Sequence, residues 1–192
     1  FPKDGTRIDV TELTEDSEEL YSVRGGTASM IFQEPMTALS PVHTIGNQIC
    51  EAILLHQEVS EEEARRQAIE MLSKVGIPGP ETRIDLYPHE LSGGMRQRAV
   101  IAMALACNPE LLIADEPSLG LAPIIIDEVY QSLRAISEAG TAVLIVEQQV
   151  GQALQLCDRT AVLAHGAVEW EGPADEATDV MIGQMFTTGE DG

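Results

Sequence analysis

The sequence predicts an α/β fold: a parallel β-sheet flanked by helices, with a helical subdomain added to it. Three observations carry that expectation. Downstream of Glu90, helical and strand-like segments alternate, the pattern of a sheet whose parallel strands are joined by helical crossovers. Within that alternation stands LLIADEP, Leu111 to Pro117, an aliphatic run suited to a central, buried strand. Between Leu39 and Val75 the apolar residues instead recur at three and four, so that section is helical.

Taken in order, residues 1 to 32 open with turn-rich, acidic sequence and then a short apolar strand, Ala28 to Phe32. Gln33-Glu34-Pro35 ends the strand, because a residue before proline is pushed out of helical conformation. From Leu39 to Leu55 the pattern is helical, with Ile45, Ile49, Ile53 and Leu54 on one stripe. Ser60 to Val75 is the strongest helix of the chain. Ser60 with Glu63 reads as a capping box, and Glu61–Arg65 and Glu62–Arg66 as ion pairs one turn apart. Ala64, Ala68, Leu72 and Val75 form its apolar stripe, and Gly76 supplies the left-handed residue that ends it.

Gly76 to Glu90 is rich in proline and glycine and reads as a loop. A helix from Gly93 to Cys107 leads to a strand from Leu111 to Ala114. Pro123, suited to a first helical position, opens a helix that ends near Ser137, and Gly140 precedes a strand from Thr141 to Val146. Val150 to Cys157 is a short helix. Thr160 to Ala164 and Ala167 to Trp170 flank His165-Gly166 as a tight hairpin, and the acidic tail beyond Gly172 is expected to be loosely held.

Composition narrows the function. The 192 residues fit one domain, or one with a small subdomain, and are 44% hydrophobic and 22% charged, ordinary values for a globular core. A formal charge of −21 opposes the basic footprint of nucleic-acid binding, and 4% aromatics opposes a base-stacking surface. The apolar stretch Ala99 to Cys107 falls well short of the roughly 18 residues of a membrane span. FPKDGTRID lacks a secretory pattern. Cys50, Cys107 and Cys157 are odd in number and dispersed, so reduced thiols are expected rather than a disulfide framework or zinc site.

Two short segments carry chemistry. In LSGGMRQR, Leu91 to Arg98, Ser92-Gly93-Gly94 opens a helix whose free N–H groups point outward with partial positive charge. Such amides hold phosphate oxygens; glycine allows close approach and the serine hydroxyl adds a donor. At the end of LLIADEP, Asp115 offers a hard oxygen ligand suited to Mg²⁺. Glu116, one residue on, is placed to orient or deprotonate an attacking water.

LSGGMRQR resembles the signature motif of ATP-binding cassette (ABC) ATPases, and the likeness continues through RAVIAMALACNP into LLIADEP, which resembles their Walker B strand and catalytic glutamate. MIFQEPMTALSP, Met30 to Pro41, resembles the Q-loop of peptide importers, where a glutamine, here Gln33, touches metal and attacking water. After Pro117 the likeness shifts. Ser118-Leu119-Gly120-Leu121-Ala122 has Ala122 where the family commonly has aspartate, and Val146-Glu147-Gln148 places Gln148 where many members have histidine. With LAPIII and VEQQV, residues 118–176 resemble branched-chain amino-acid importers, whereas residues 1–117 resemble peptide importers.

The resemblance implies a P-loop NTPase-like core and the following roles. Glu116, Gln33 and Gln148 are the catalytic candidates; Ser92, Gly93, Gly94 and Met95 hold nucleotide; Asp115 and Gln33 hold Mg²⁺. It implies ATP and Mg²⁺ as cofactors, and as partners the transmembrane transporter subunits and a second ATPase subunit in a head-to-tail dimer. No nucleic acid is expected. The location implied is peripheral, at the cytoplasmic face of the plasma (inner) membrane, with membrane contact only through partner subunits. By this reading residues 1–33 are a remnant of the N-terminal core and Q-loop, 34–107 the helical subdomain, 108–172 the catalytic core and 173–192 an acidic tail.

No G-x-x-x-x-G-K-[ST] occurs in the sequence, and its lysines are Lys3 and Lys74. The expectation is therefore a partial domain, its leading strands and P-loop missing, that alone hydrolyses ATP slowly or not at all. A non-catalytic fragment that docks on transporter or partner ATPase subunits is the alternative.

Overall fold

Alternating aliphatic segments of the sequence meet as a three-stranded parallel sheet. The structure, a computed structural model, describes residues 9–32, 38–148 and 150–177. The chain divides into two units, residues 1–147 and 148–192.

In the first unit, β1 (Ala28–Ile31), β2 (Leu111–Asp115) and β3 (Ala142–Val146) lie in the order β1-β2-β3. Ile31 stands opposite Ala114, and Asp115 opposite Val146, so the acidic end of β2 projects one register beyond β1. Leu112 and Ala114 are fully buried. Leu111 and Ile113 are only half-buried, and on their face Met30, Leu144 and Val146 are 41%, 51% and 50% exposed. The expectation of a strand enclosed on both sides is thus corrected among the described residues: β2 is central in the sheet but alternates in burial.

Between β1 and β2 runs the helical section. The acidic opening also contains a helix the sequence reading missed, α1 (Glu18–Val23), capped by Ser17, whose Oγ accepts from the Leu20 amide at 3.2 Å. Next, α2 (Ile45–His56) begins at Ile45 rather than Leu39. The cause is Gln48, whose Oε1 accepts from Ser40 N–H at 2.7 Å while its Nε2 donates to the carbonyls of Ser40, His43 and Thr44. Those bonds fold the preceding segment into a local turn, and Thr44 becomes the cap. Ile45, Ile49 and Ile53 are buried as expected; Leu54 is 40% exposed, at the edge of the stripe.

Helix α3 (Glu61–Lys74) packs against α2, and Ser60 Oγ accepts from the Glu63 amide at 3.2 Å. The reciprocal half of the capping box does not form, because the Glu63 carboxylate accepts from Arg66 and Gln67. The expected Glu61–Arg65 and Glu62–Arg66 pairs are likewise replaced: Arg65 reaches Asp85 at 2.8 Å, and Arg66 pairs with Glu63 at 2.5 Å. Asp85 draws Arg65 away from its own helix. The stripe Ala64, Ala68, Leu72 and Val75 is buried, and Gly76 takes φ +75°.

The expected loop Gly76 to Glu90 contains two short pieces, α4 (Pro80–Arg83) and a 3₁₀ turn (Pro88–Glu90). It closes over α2 at Gly46, whose N–H donates to the Ile84 carbonyl at 2.7 Å. Helix α5 (Gly93–Leu105) packs on α3 and β1 and stops two residues short of Cys107. Helix α6 (Pro123–Glu138), with proline in its first turn, crosses from β2 to β3 and packs on both α5 and β3. Cys50, Cys107 and Cys157 are free thiols, and burial pushes each above the ordinary cysteine range.

The second unit holds α7 (Val150–Leu156) and an antiparallel hairpin of β4 (Arg159–Ala164) and β5 (Ala167–Pro173). His165 and Gly166 both have positive φ, 52° and 80°, as a two-residue hairpin turn requires. Part of the tail is ordered: residues 174–177 are helical, with Ala174 and Ala177 buried. The rest of the expected tail lies outside the described residues.

Candidate functional site

The helix at Gly93 starts where it does because Ser92 caps it, its Oγ accepting from the Met95 amide at 3.3 Å. That bond occupies the Met95 N–H and leaves the serine hydroxyl free to donate. Gly93 and Gly94 precede the first possible intrahelical acceptor, so their amides are the outward-pointing ones. Ser92 and Gly93 are exposed, and a Cβ at Gly93 would meet nothing within 4 Å. Gly94 is buried; a Cβ there would lie 2.7 Å from Ile125 Cγ2 in the first turn of α6. The two glycines thus differ: one leaves an open approach, the other lets two helices touch.

The acidic strand end is reached from Gln97, about one helical turn beyond the tip of the same helix. Gln97, 1% exposed, donates from Nε2 to the Pro117 carbonyl at 3.3 Å. Asp115 and Glu116 are both half-buried. Glu116 has φ +44°, a left-handed conformation that a non-glycine residue holds only when its surroundings fix it. Its N–H donates to the Val146 carbonyl at 2.8 Å and its carbonyl accepts from Leu119 N–H at 3.0 Å.

Beyond the turn, the Ser118 amide donates to Glu147 Oε1 at 3.0 Å, and so does the Tyr130 hydroxyl at 3.0 Å. Sequence reasoning missed Glu147. The available signal was its position: it follows β3 as Glu116 follows β2, on neighbouring strands.

The structure therefore brings Ser92, Gly93, Gly94 and Met95 onto the same helix as the residue that contacts the Asp115-Glu116 turn. Gln33 lies outside the described residues. Gln148 opens the second unit, two residues after β3. Among the described residues no three or more histidine, cysteine, aspartate or glutamate side chains gather as a metal cage. A lone carboxylate pair at a strand end fits Mg²⁺ nonetheless, since that ion takes one or two carboxylates and completes its shell with phosphate and water oxygens.

The family model for ABC transporters matches residues 2–119. The chain belongs to the ABC transporter family. It is 49% identical over 158 residues to a probable peptide ABC transporter ATP-binding protein of Sinorhizobium fredii, covering 82% of this chain and 47% of that protein. It is 44% identical over 175 residues to a putative peptide import ATP-binding protein of Brucella melitensis, covering 91% and 51%. With the oligopeptide transport ATP-binding protein OppD of Bacillus subtilis it shares 43% over 169 residues, 88% and 47% of the two chains. The chain spans about half the length of these curated relatives.

Matches of such extent run across Pro117, so likeness to peptide-import ABC proteins does not stop there. Among solved structures, the dimeric post-hydrolysis ATP-binding cassette MJ0796 bound to ADP and Pi superposes with a TM-score of 0.72 at 30% identity, over 85% of this chain and 68% of that one. CbiO1 of Clostridium perfringens, part of the ABC transporter complex cbiONQ, gives 0.74 at 26% identity, over 85% and 63%. The fold is that of an ABC ATPase cassette.

Proposed function

We propose that this chain forms the signature and Walker B portion of the ATP-binding subunit of an ABC importer, coupling ATP hydrolysis to uptake of peptides or amino acids. One observation carries the proposal: the open helix tip at Ser92-Gly93 and the acidic turn at Asp115-Glu116 are joined within the chain by the Gln97–Pro117 hydrogen bond. One element of that assembly suits the terminal phosphate of one triphosphate, the other the metal and attacking water of a second.

In this proposal Ser92, Gly93 and Gly94 cradle the phosphates of ATP held by a second subunit arranged head to tail, with Met95 closing the first turn. Glu116 orients and polarises the water for in-line attack on the γ-phosphate; Gln33 would contact the metal and water, and Gln148 would donate a hydrogen bond to phosphate. Asp115, with Gln33, would hold Mg²⁺, which when bound neutralises charge on the leaving phosphates. Residues 34–107 act as the helical subdomain that meets the transmembrane subunits, and 108–172 as the catalytic core. The subunit works at the cytoplasmic membrane face, touching the membrane through its partners. No helix among the described residues is long and apolar enough to cross a bilayer.

The 192 residues contain no G-x-x-x-x-G-K-[ST], so we propose that they alone turn ATP over slowly. The same observation favours a second reading, a docking fragment that lends its signature helix to an intact ATPase subunit. Association with such a subunit, measured with and without ATP and Mg²⁺, tests both. The first reading expects nucleotide-dependent pairing and turnover by the pair that are both lost on Ser92→Arg, and slow turnover by this chain alone that is lost on Glu116→Gln. Pairing without turnover supports the docking reading, and no pairing under any condition defeats both.

A further inference from the structure

We propose that Glu147 is a positioning residue: its carboxylate holds the turn after Glu116 and thereby fixes the backbone conformation of Glu116. The inference rests on the reading of Glu116 given above for its catalytic consequence, and on geometry alone for its structural one.

The left-handed backbone at Glu116 needs restraint from both sides. Upstream, the Glu116 amide is bound to the Val146 carbonyl. Downstream, the chain turns through Pro117 and Ser118, and Ser118 is 5% exposed. Its N–H faces Glu147 Oε1 at 3.0 Å. A buried amide without an acceptor is costly, and a charged acceptor makes roughly twice as strong a bond as a neutral one. The same oxygen accepts from Tyr130, a 7% exposed residue of α6. Helix α6 in turn bears on Gly94 through Ile125. One carboxylate oxygen therefore joins the end of β3, the turn after β2 and the helix that touches the signature tip.

Glutamine at 147 would keep an acceptor oxygen in place, whereas alanine would remove it. The test is backbone hydrogen exchange by NMR on the 192-residue chain, comparing wild type, Glu147→Gln and Glu147→Ala. The Ser118 amide is expected to exchange about tenfold faster in Glu147→Ala and within roughly threefold of wild type in Glu147→Gln, with the Leu112 and Val143 amides unchanged. Unchanged exchange at Ser118, or an equal rise across the whole sheet, would overturn the proposal.

The second readout is the slow ATP turnover of the 192-residue chain itself. Glu147→Ala is expected to lower kcat about tenfold at nearly constant KM, with activity restored by Glu147→Gln. A faster Ser118 amide with unaltered kcat would show that Glu147 holds the turn without serving Glu116. Absence of turnover in wild type would count against the ATPase reading alone, and the exchange result would still decide whether Glu147 fixes the turn.

Discussion

The side-chain amide of Gln97 reaches from the middle of α5 to the backbone carbonyl of Pro117, 3.3 Å away, and is almost wholly shielded from solvent. A helix that presents backbone donors at its tip thus also grips the turn that presents two carboxylates.

Replacing Gln97 by leucine removes the donor and strands the Pro117 carbonyl. The expected loss is about 1–3 kcal/mol of folding stability, the cost of an unsatisfied buried acceptor. Urea denaturation measures it; a midpoint equal to that of wild type would mean that the hydrogen bond contributes nothing.

Gly93 and Gly94 should respond unequally to alanine. At Gly94 the new methyl meets Ile125 at 2.7 Å, so Gly94→Ala is expected to destabilise by about 1–3 kcal/mol through overpacking. At Gly93 the space is open, and the change should stay within about 0.5 kcal/mol. Paired denaturation curves check this. Equal losses at the two positions would contradict the packing described here.

Gly46 lies in the first turn of α2, where alanine would ordinarily gain at most about 1 kcal/mol of helix propensity. Its Cβ, however, would fall 2.5 Å from Ile84 Cγ1 and 2.8 Å from the Ile84 carbonyl oxygen. Backbone does not give way as a side-chain tip does, so the clash should win and Gly46→Ala should lower the thermal midpoint. A raised midpoint would reverse that ordering.

Asp85 titrates below the usual aspartate range, first because Arg65 donates a hydrogen bond to it and then through the attraction of the same guanidinium. A carboxylate depressed by folding contributes stability above its unfolded value, about 3.9, and loses it as pH falls through the lower folded value. Arg65→Gln should therefore raise the Asp85 midpoint in an NMR titration toward about 3.9. Both side chains are largely exposed, so stability at neutral pH should barely change. An unmoved midpoint would remove Arg65 as the cause.

Local signals made much of this fold readable. Ser60 and Gly76 mark the ends of α3, Pro123 the start of α6, and His165-Gly166 the hairpin turn, since each depends on the backbone preference of one or two residues. Long-range partners were not readable. Arg65 had two glutamates at helical spacing, yet it pairs with Asp85 twenty positions away in sequence. The start of α2 moved because Gln48 folded back on the preceding turn. At the candidate site the motifs named the helix tip and the acidic pair, while Glu147 became apparent only when β2 and β3 were side by side. A sequence shows which residues are chemically able; the register of neighbouring strands shows which of them meet.

Glu116 keeps a side chain in a backbone shape that glycine would adopt without penalty. A library of variants screened only for heat resistance should therefore enrich glycine at this position, and every such winner would have discarded its carboxylate. With Glu116 in the role proposed above, ruggedness and chemistry pull in opposite directions at this one α-carbon.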